Sequence, residues 1–393
     1  MQYIYFLCIL IQKGVRLMSY LFPNYSRKPF EIVSGQGLLV QDQKGKTYLD
    51  FTSGIGVMNL GHHHPAVEVA LAKQAGQIWH MPNLYQSQLQ EEVAQALAGE
   101  LDYVSFFCNS GAEANEAAIK LARKYTGRSQ LLTFQQSFHG RTYGAMTATG
   151  QATIHAGFEP LVPDFIYGEY NDHKALDLVT EQTAAVMVEL IQGEGGVIVA
   201  ERSWIQQLAK RCQAMGVLLI VDEVQTGIGR TGSLFAFEQF GIQPDIFTLA
   251  KGLGNGLPVG AMLGKRELAS AFGPGSHGTT FGGNKLALAA AKAVLETMGA
   301  PGFLATVGEK GEYLRQGINA IQSAKIVAVR GLGLMVGIQL VSEEVLASVT
   351  EQLEAKGLLS LRAGKTVLRL LPALTVSEAE LQQALALLAE VLV

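Results

Sequence analysis

The sequence predicts an α/β protein: a mostly parallel sheet covered by helices on both faces, followed by a smaller α+β unit. Three observations carry that expectation. Short apolar runs of strand length alternate with helix-like segments from about residue 65 to residue 298, and an unbroken apolar run is what a strand buried on both faces requires. The 393 residues exceed the roughly 250–300 at which a single hydrophobic core stops growing. Finally, Ala300-Pro301-Gly302 interrupts the pattern, and the order of elements changes after it.

Residues 37–42 and 47–51 read as strands flanking Lys44-Gly45, a hairpin signal. Residues 65–75 and 89–101 read as helices. Residues 104–108 (VSFFC) form a buried strand, followed by an alanine-rich helix to about Tyr125. Further strands are expected at 130–134, 184–190, 217–221 and 246–249, with helices at 174–181 and 203–215. A long helix runs from about 284 to 298. Beyond the break the order is helix, strand 326–329, strand 334–340, helix, two short strands, helix. The expected division is a large domain at 61–299 and a small α+β domain at 300–393, with an N-terminal segment at 18–60 that packs with the small domain.

Residues 1–17 read as a dispensable extension. The apolar stretch 3–11 has no basic residue before it and no small-residue cleavage site after it, which argues against its alternative, an export signal. It is also shorter than the ~18 residues of a membrane span. Three cysteines, Cys8, Cys108 and Cys212, make no Cys-x-x-Cys pair, which suits a reduced, cytoplasmic protein.

Composition narrows the class. Hydrophobic residues are 48% of the chain and charged residues only 16%, against a usual ~25%, so a well-filled core is expected. The 44 glycines imply many tight turns and close backbone approaches. A net charge of −4 argues against a nucleic-acid or anionic-membrane binder.

Three motifs mislead. The acidic end of Leu218-Leu219-Ile220-Val221-Asp222 imitates an ATPase strand, but Gly364-Lys365-Thr366 and Gly45-Lys46-Thr47 lack the leading glycine of a phosphate loop, where Leu359 and Val40 stand. In Gly252-Leu253-Gly254-Asn255-Gly256 the third glycine falls one residue early for a dinucleotide fingerprint. Three adjacent imidazoles, His62, His63 and His64, cannot all face one metal ion, so they read as a helix-entry loop.

Four strand ends carry polar residues where open α/β sheets bind ligands. In Asn109-Ser110-Gly111-Ala112-Glu113, Ser110 and Glu113 read as a capping box at a helix start that could hold a phosphate. An ordinary capped helix is the equal alternative. In Phe138-His139-Gly140-Arg141 the aromatic could stack on a planar group while Arg141 grips a carboxylate. Asp222 ends an apolar strand, followed by Glu223, Val224 and Gln225. Lys251 leaves another such strand among glycines, or else snorkels from its end. Together, a phosphate cradle, a stacking ring, an acid for a ring nitrogen and a desolvated lysine match what pyridoxal 5′-phosphate requires.

The stretches NSGAEANEAAIKLARK, FHGRTYGAM, VDEVQTGIGRTG, LAKGLGNGLPVGA and HGTTFGGN resemble the class III (ornithine-type) aminotransferases, from about Leu21 to Val393. One departure is Glu189-Leu190, where many relatives have Glu-Pro. The resemblance implies the aspartate-aminotransferase-type fold, with a mostly parallel seven-stranded sheet in the large domain, and a homodimer with active sites at the subunit interface. It implies transfer of an amine to 2-oxoglutarate, yielding glutamate, with N-acetylornithine as donor. Ornithine, succinylornithine, 4-aminobutyrate or an aminoacyl-lysine analogue are the alternatives.

Residue by residue, the resemblance assigns Lys251 the covalent bond to the cofactor, Asp222 the pyridine nitrogen and Gln225 the cofactor's hydroxyl. Ser110 and Gly111 would bind phosphate, Phe138 would stack on the ring, and Glu223 and Val224 would lie along the cofactor. Thr280 would reach the phosphate of the neighbouring subunit, with Thr279 beside the substrate. Arg141 would hold the distal carboxylate of the substrate, and Arg369 the carboxylate beside the reacting carbon of glutamate. Glu194, on the loop Gln192-Gly193-Glu194-Gly195-Gly196, is expected to neutralise Arg369 when no such carboxylate is present; a solvated loop glutamate is the alternative. No metal site is expected.

Overall fold

The computed structural model describes residues 19–393; the expected extension at 1–17, with Cys8, lies outside them. Its centre is a seven-stranded sheet in the order Tyr103–Cys108, Gly260–Lys265, Ile246–Leu249, Leu218–Asp222, Thr183–Val188, Gln130–Phe134, Phe165–Gly168. All run parallel except Gly260–Lys265, which is antiparallel to both of its neighbours.

The pleat divides these strands between two cores. Val186, Val188, Leu219, Val221 and Phe247 pack on one face with Trp204 and Leu208 of the helix Arg202–Met215. Their neighbours Ala185, Met187, Leu218, Ile220 and Ile246 pack on the other with Ala117, Ala118 and Leu121 of the helix Gly111–Thr126. Burial on both faces explains why these strands read as unbroken apolar runs. Each fully buried Leu, Ile or Val contributes roughly 1.5–3 kcal/mol.

Two strands of this sheet escape the sequence reading. Phe165–Gly168 is a four-residue edge strand, and Gly260–Lys265 begins and nearly ends in glycine, so neither shows a sustained apolar run. The expected helix at 174–181 is a 3₁₀ segment, His173–Leu178, and the expected strand 184–190 ends at Val188. Residues 191–192 then pair with 198–199 in a separate hairpin that carries Glu194.

A four-stranded antiparallel sheet, Ile326–Leu332, Met335–Leu340, Val367–Leu370 and Leu361–Ala363, lies against the helices Phe303–Asn319, Glu343–Lys356 and Glu378–Leu392. The hairpin near the N-terminus gains an unforeseen first strand, Ile32–Gln36, and takes Leu358–Leu359 as its fourth. Among the described residues no helix is long and apolar enough to cross a membrane.

Candidate active site

The carboxyl ends of four central strands open onto one cavity of about 410 Å³. Ser110, Gly111, Phe138, Arg141, Glu194, Asp222, Val224, Gln225 and Lys251 all line it.

Strand Tyr103–Cys108 leads into the helix Gly111–Thr126, whose Ser110 side chain accepts from the Glu113 amide at 3.2 Å. The expected capping box is half formed. The Glu113 carboxylate takes the backbone and side-chain N–H groups of Asn109, at 2.7 and 2.9 Å, instead of the Ser110 amide. The amides of Gly111 and Ala112 have no intrahelical partner and sit at the positive end of the helix dipole. Glycine is required at 111 because a Cβ there would lie 2.7 Å from Cγ1 of Val224.

Asp222, 4% exposed, has both carboxylate oxygens fixed. Oδ2 accepts from Asn115 Nδ2 at 2.8 Å and His139 Nδ1 at 2.7 Å, and Oδ1 accepts from the Val224 amide at 3.0 Å. Asn115 is itself held by Thr248, whose hydroxyl donates to Oδ1 at 2.7 Å. Burial alone would lower the His139 pKa, but the hydrogen bond and charge of Asp222 outweigh it and raise the value. The folded site therefore holds the His139 proton more tightly than a free imidazole does.

Lys251 follows the strand Ile246–Leu249 with φ +44°, a left-handed backbone that a non-glycine residue adopts at a cost of order 1–3 kcal/mol. Burial lowers its ammonium pKa, helped by the positive charge of Arg369 and opposed by the carboxylates of Glu194, Asp222 and Glu189. A lysine poised this way gives up its proton more readily than the usual ~10.4 allows.

Arg369, 2% exposed, donates from Nη1 to Glu194 at 2.6 Å and to Gln225 Oε1 at 3.0 Å. It reaches the cavity through those two residues. At the mouth Arg141 stands exposed, its guanidinium 5.7 Å from the centre of the Phe138 ring.

Three sequence-derived candidates do not reach the cavity. Glu223 turns the opposite way from Asp222, as successive strand residues do, and its carboxylate takes the Thr226 hydroxyl at 2.5 Å and the Phe237 amide at 2.9 Å. Thr279 accepts from Asn109 Nδ2 at 3.2 Å, and Thr280 is exposed; neither lines the cavity of its own chain. The expected helix-entry loop sends its imidazoles apart: His62 to Asp50 at 3.2 Å, His63 to Glu68, and His64 to the position before Pro65 of the helix Pro65–Ala75.

The sequence reading gave no role to His139, Asn115 or Glu189, all of which line the cavity. Glu189 was legible in one respect, because it ends an apolar strand run as Asp222 does. Burial pushes its carboxyl up to about 7, with the charges of His139 and Lys251 and the Phe138 amide working against that rise.

A cofactor with an anionic tail, a ring nitrogen and a carbonyl fits this donor set. The free helix amides, the Asp222 carboxylate and the Lys251 amine present matching groups around one space, and His139 Nε2 is a buried polar atom without a partner.

This chain belongs to the class III aminotransferases, whose family model matches residues 21–392. That class uses pyridoxal 5′-phosphate. Among curated relatives, the acetylornithine aminotransferase of Listeria monocytogenes serotype 4b is 57% identical over 378 residues, covering 95% of this chain and 97% of its own. Among solved structures, N-acetylornithine aminotransferase from Stenotrophomonas maltophilia is 35% identical, with a TM-score of 0.81 over 93% of this chain and 96% of that one. Ornithine aminotransferase from Toxoplasma gondii, described with partial occupancy of PLP at its active site, is 29% identical, with a TM-score of 0.90 over 98% and 97%.

Proposed function

We propose that the protein moves the terminal amine of N2-acetyl-L-ornithine to 2-oxoglutarate, giving N-acetyl-L-glutamate 5-semialdehyde and L-glutamate, as a pyridoxal-phosphate enzyme of arginine biosynthesis. The observation that carries it is a cavity with Arg141 exposed at its mouth and a second guanidinium, Arg369, held directly behind the lining residues Glu194 and Gln225. The 57% identity to an acetylornithine aminotransferase supports the choice of donor.

Bound here, pyridoxal phosphate supplies an electron-withdrawing ring that acidifies the carbon bearing the substrate's amine. The residues of the chain do the rest. Gly111 and Ser110 would hold the phosphate at the helix start, Phe138 and Val224 would lie against the ring, and Gln225 would contact its hydroxyl. Asp222, oriented by His139 and Asn115, keeps a proton on the ring nitrogen. Lys251 would anchor the cofactor, and its amine, its pKa lowered by burial, would serve as the general base that takes the proton from the carbon bearing the substrate's amine.

Arg141 holds the far carboxylate of either substrate. Acetylornithine then lays an apolar chain past Arg369, and Glu194 remains in place to neutralise it. Glutamate brings a second carboxylate, which displaces Glu194. We also propose that the chain works as a homodimer, with the exposed Thr280 serving the partner's phosphate; that residues 61–299 and 300–393 act as large and small domains, the segment 18–60 packing with the small one; and that the enzyme is cytoplasmic.

Borohydride reduction of the holoenzyme followed by peptide mapping tests the reading. A reduced cofactor on Lys251, together with glutamate formation from acetylornithine and 2-oxoglutarate, is the expected result. Labelling of another lysine, or none, removes it.

A further inference from the structure

Among the described residues Arg230 is the largest charged side chain with no surface exposure, and none of their carboxylates pairs with it. Its Nη1 donates to the carbonyls of Leu334 at 3.0 Å and Pro372 at 2.5 Å, and its Nη2 donates to Oδ1 of Asn59 at 2.7 Å. An ion held only by dipoles is costly to bury, so its place in the fold calls for a compensating role.

Two of the three acceptors, on Pro372 and Asn59, belong to segments that lead to the active site. Pro372 follows the strand Val367–Leu370 that carries Arg369, and having no N–H it can be fastened only through its carbonyl. The same exit is tied by the Leu371 amide to Phe51 at 2.7 Å and by the Leu374 amide to the Asn59 carbonyl at 2.7 Å. Asn59 in turn donates to the Ile228 carbonyl at 2.7 Å and lies against Gly252, where a Cβ would meet its Nδ2 at 2.2 Å. Gly252 is the residue after Lys251. Arg230 and Asn59 thus form a continuous strut from the backbone beside Arg369 to the backbone beside Lys251.

We propose that Arg230 is a positioning residue for Arg369, setting the distance between that guanidinium and Lys251 and so the site's affinity for substrates with a carboxylate beside the reacting carbon. The inference rests on the reading of Arg369 given above. A guanidinium suits the task because its planar fork spans two carbonyls and an amide at once, which a lysine ammonium cannot do from the same stem.

Two inert ligands separate the roles. Glutarate carries both carboxylates, and N-acetylnorvaline carries only the distal one. Their binding to holoenzyme is measured by calorimetry for wild type, Arg230→Gln, Arg230→Lys and Arg369→Lys. In both Arg230 variants glutarate binding weakens about tenfold while N-acetylnorvaline binding changes by less than about threefold, and the KM for glutamate rises with little change in kcat. If both ligands weaken alike, or neither does, Arg230 is a structural residue only and the proposal is overturned. If Arg369→Lys also leaves glutarate binding unchanged, the reading of Arg369 itself fails. Arg230→Lys keeps the charge and carries the test should Arg230→Gln not fold.

Discussion

Nη1 of Arg369 stands 2.6 Å from Oε1 of Glu194, so an arginine buried in a strand has its counter-charge on a loop built of glycines. Burial would raise the Glu194 pKa, but Arg369 holds the carboxyl below its ordinary value, so the pair is ionised at neutral pH. Removing Glu194 leaves Arg369 open to an incoming carboxylate. Glu194→Ala is expected to shift preference toward glutamate over acetylornithine by about tenfold, equal to about 1.4 kcal/mol of differential binding. The check is the ratio of half-reaction rates for the two donors; an unchanged ratio contradicts the exchange of Glu194 for substrate.

Lys251→Ala removes the anchoring amine and leaves the left-handed backbone as it is, since alanine bears that cost as lysine does. The variant is expected to fold, to lose the covalent cofactor and to lose turnover by about 10³-fold or more. Steady-state rates near wild type would falsify the role of Lys251.

Asp222→Asn acts through His139 as well as through the cofactor. In the wild type the folded state holds the His139 proton more tightly than the unfolded chain does. That stabilisation is fully present below the unfolded value of ~6.5 and is lost as pH rises through the raised folded value. With asparagine at 222 burial dominates and the sign reverses. The variant's deficit, about 3 kcal/mol at pH 6, is expected to shrink as pH rises. Urea midpoints of the cofactor-free proteins from pH 5.5 to 8.5 measure it, and a deficit constant with pH counts against the pair.

Glu223 gives a stability prediction independent of chemistry. Burial pushes its carboxyl up to about 7, against the hydrogen bonds from Thr226 and Phe237. The folded state therefore favours the protonated acid. Its contribution is present below the unfolded value of ~4.3 and lost as pH rises through about 7, by at most about 4 kcal/mol. Glu223→Gln keeps one acceptor oxygen for the Phe237 amide and turns its NH2 toward the Thr226 hydroxyl, which can accept, and is expected to flatten the fall in stability between pH 5 and pH 8. Parallel profiles for the two proteins would show that Glu223 does not titrate in this range.

What was legible follows from physics that acts along the chain. Gln130–Phe134 and Ile246–Leu249 match the structure residue for residue, because strands buried on both faces need unbroken apolar runs. Gly260–Lys265 was hidden, since its place is set by pairing with Ile246–Leu249 and Tyr103–Cys108 and its glycines give no local signal. The same division holds in the site. Asp222 and Lys251 stand out because a charge at the end of an apolar strand is conspicuous in one dimension. Asn115 and His139 acquire meaning only when the helix Gly111–Thr126 and the loop after Phe134 bring them together on Asp222. Glu223 shows the converse, a neighbour of Asp222 in sequence that the pleat turns away from it.

The most direct test of the whole account is the choice of amine donor. Initial rates of glutamate formation with saturating 2-oxoglutarate are measured for N2-acetyl-L-ornithine, L-ornithine, N-succinyl-L-ornithine and 4-aminobutyrate. The account predicts the highest kcat/KM for acetylornithine, by about tenfold or more over ornithine, whose free α-amine finds no acetyl contact. A kcat/KM for ornithine or 4-aminobutyrate equal to or above that for acetylornithine would contradict it.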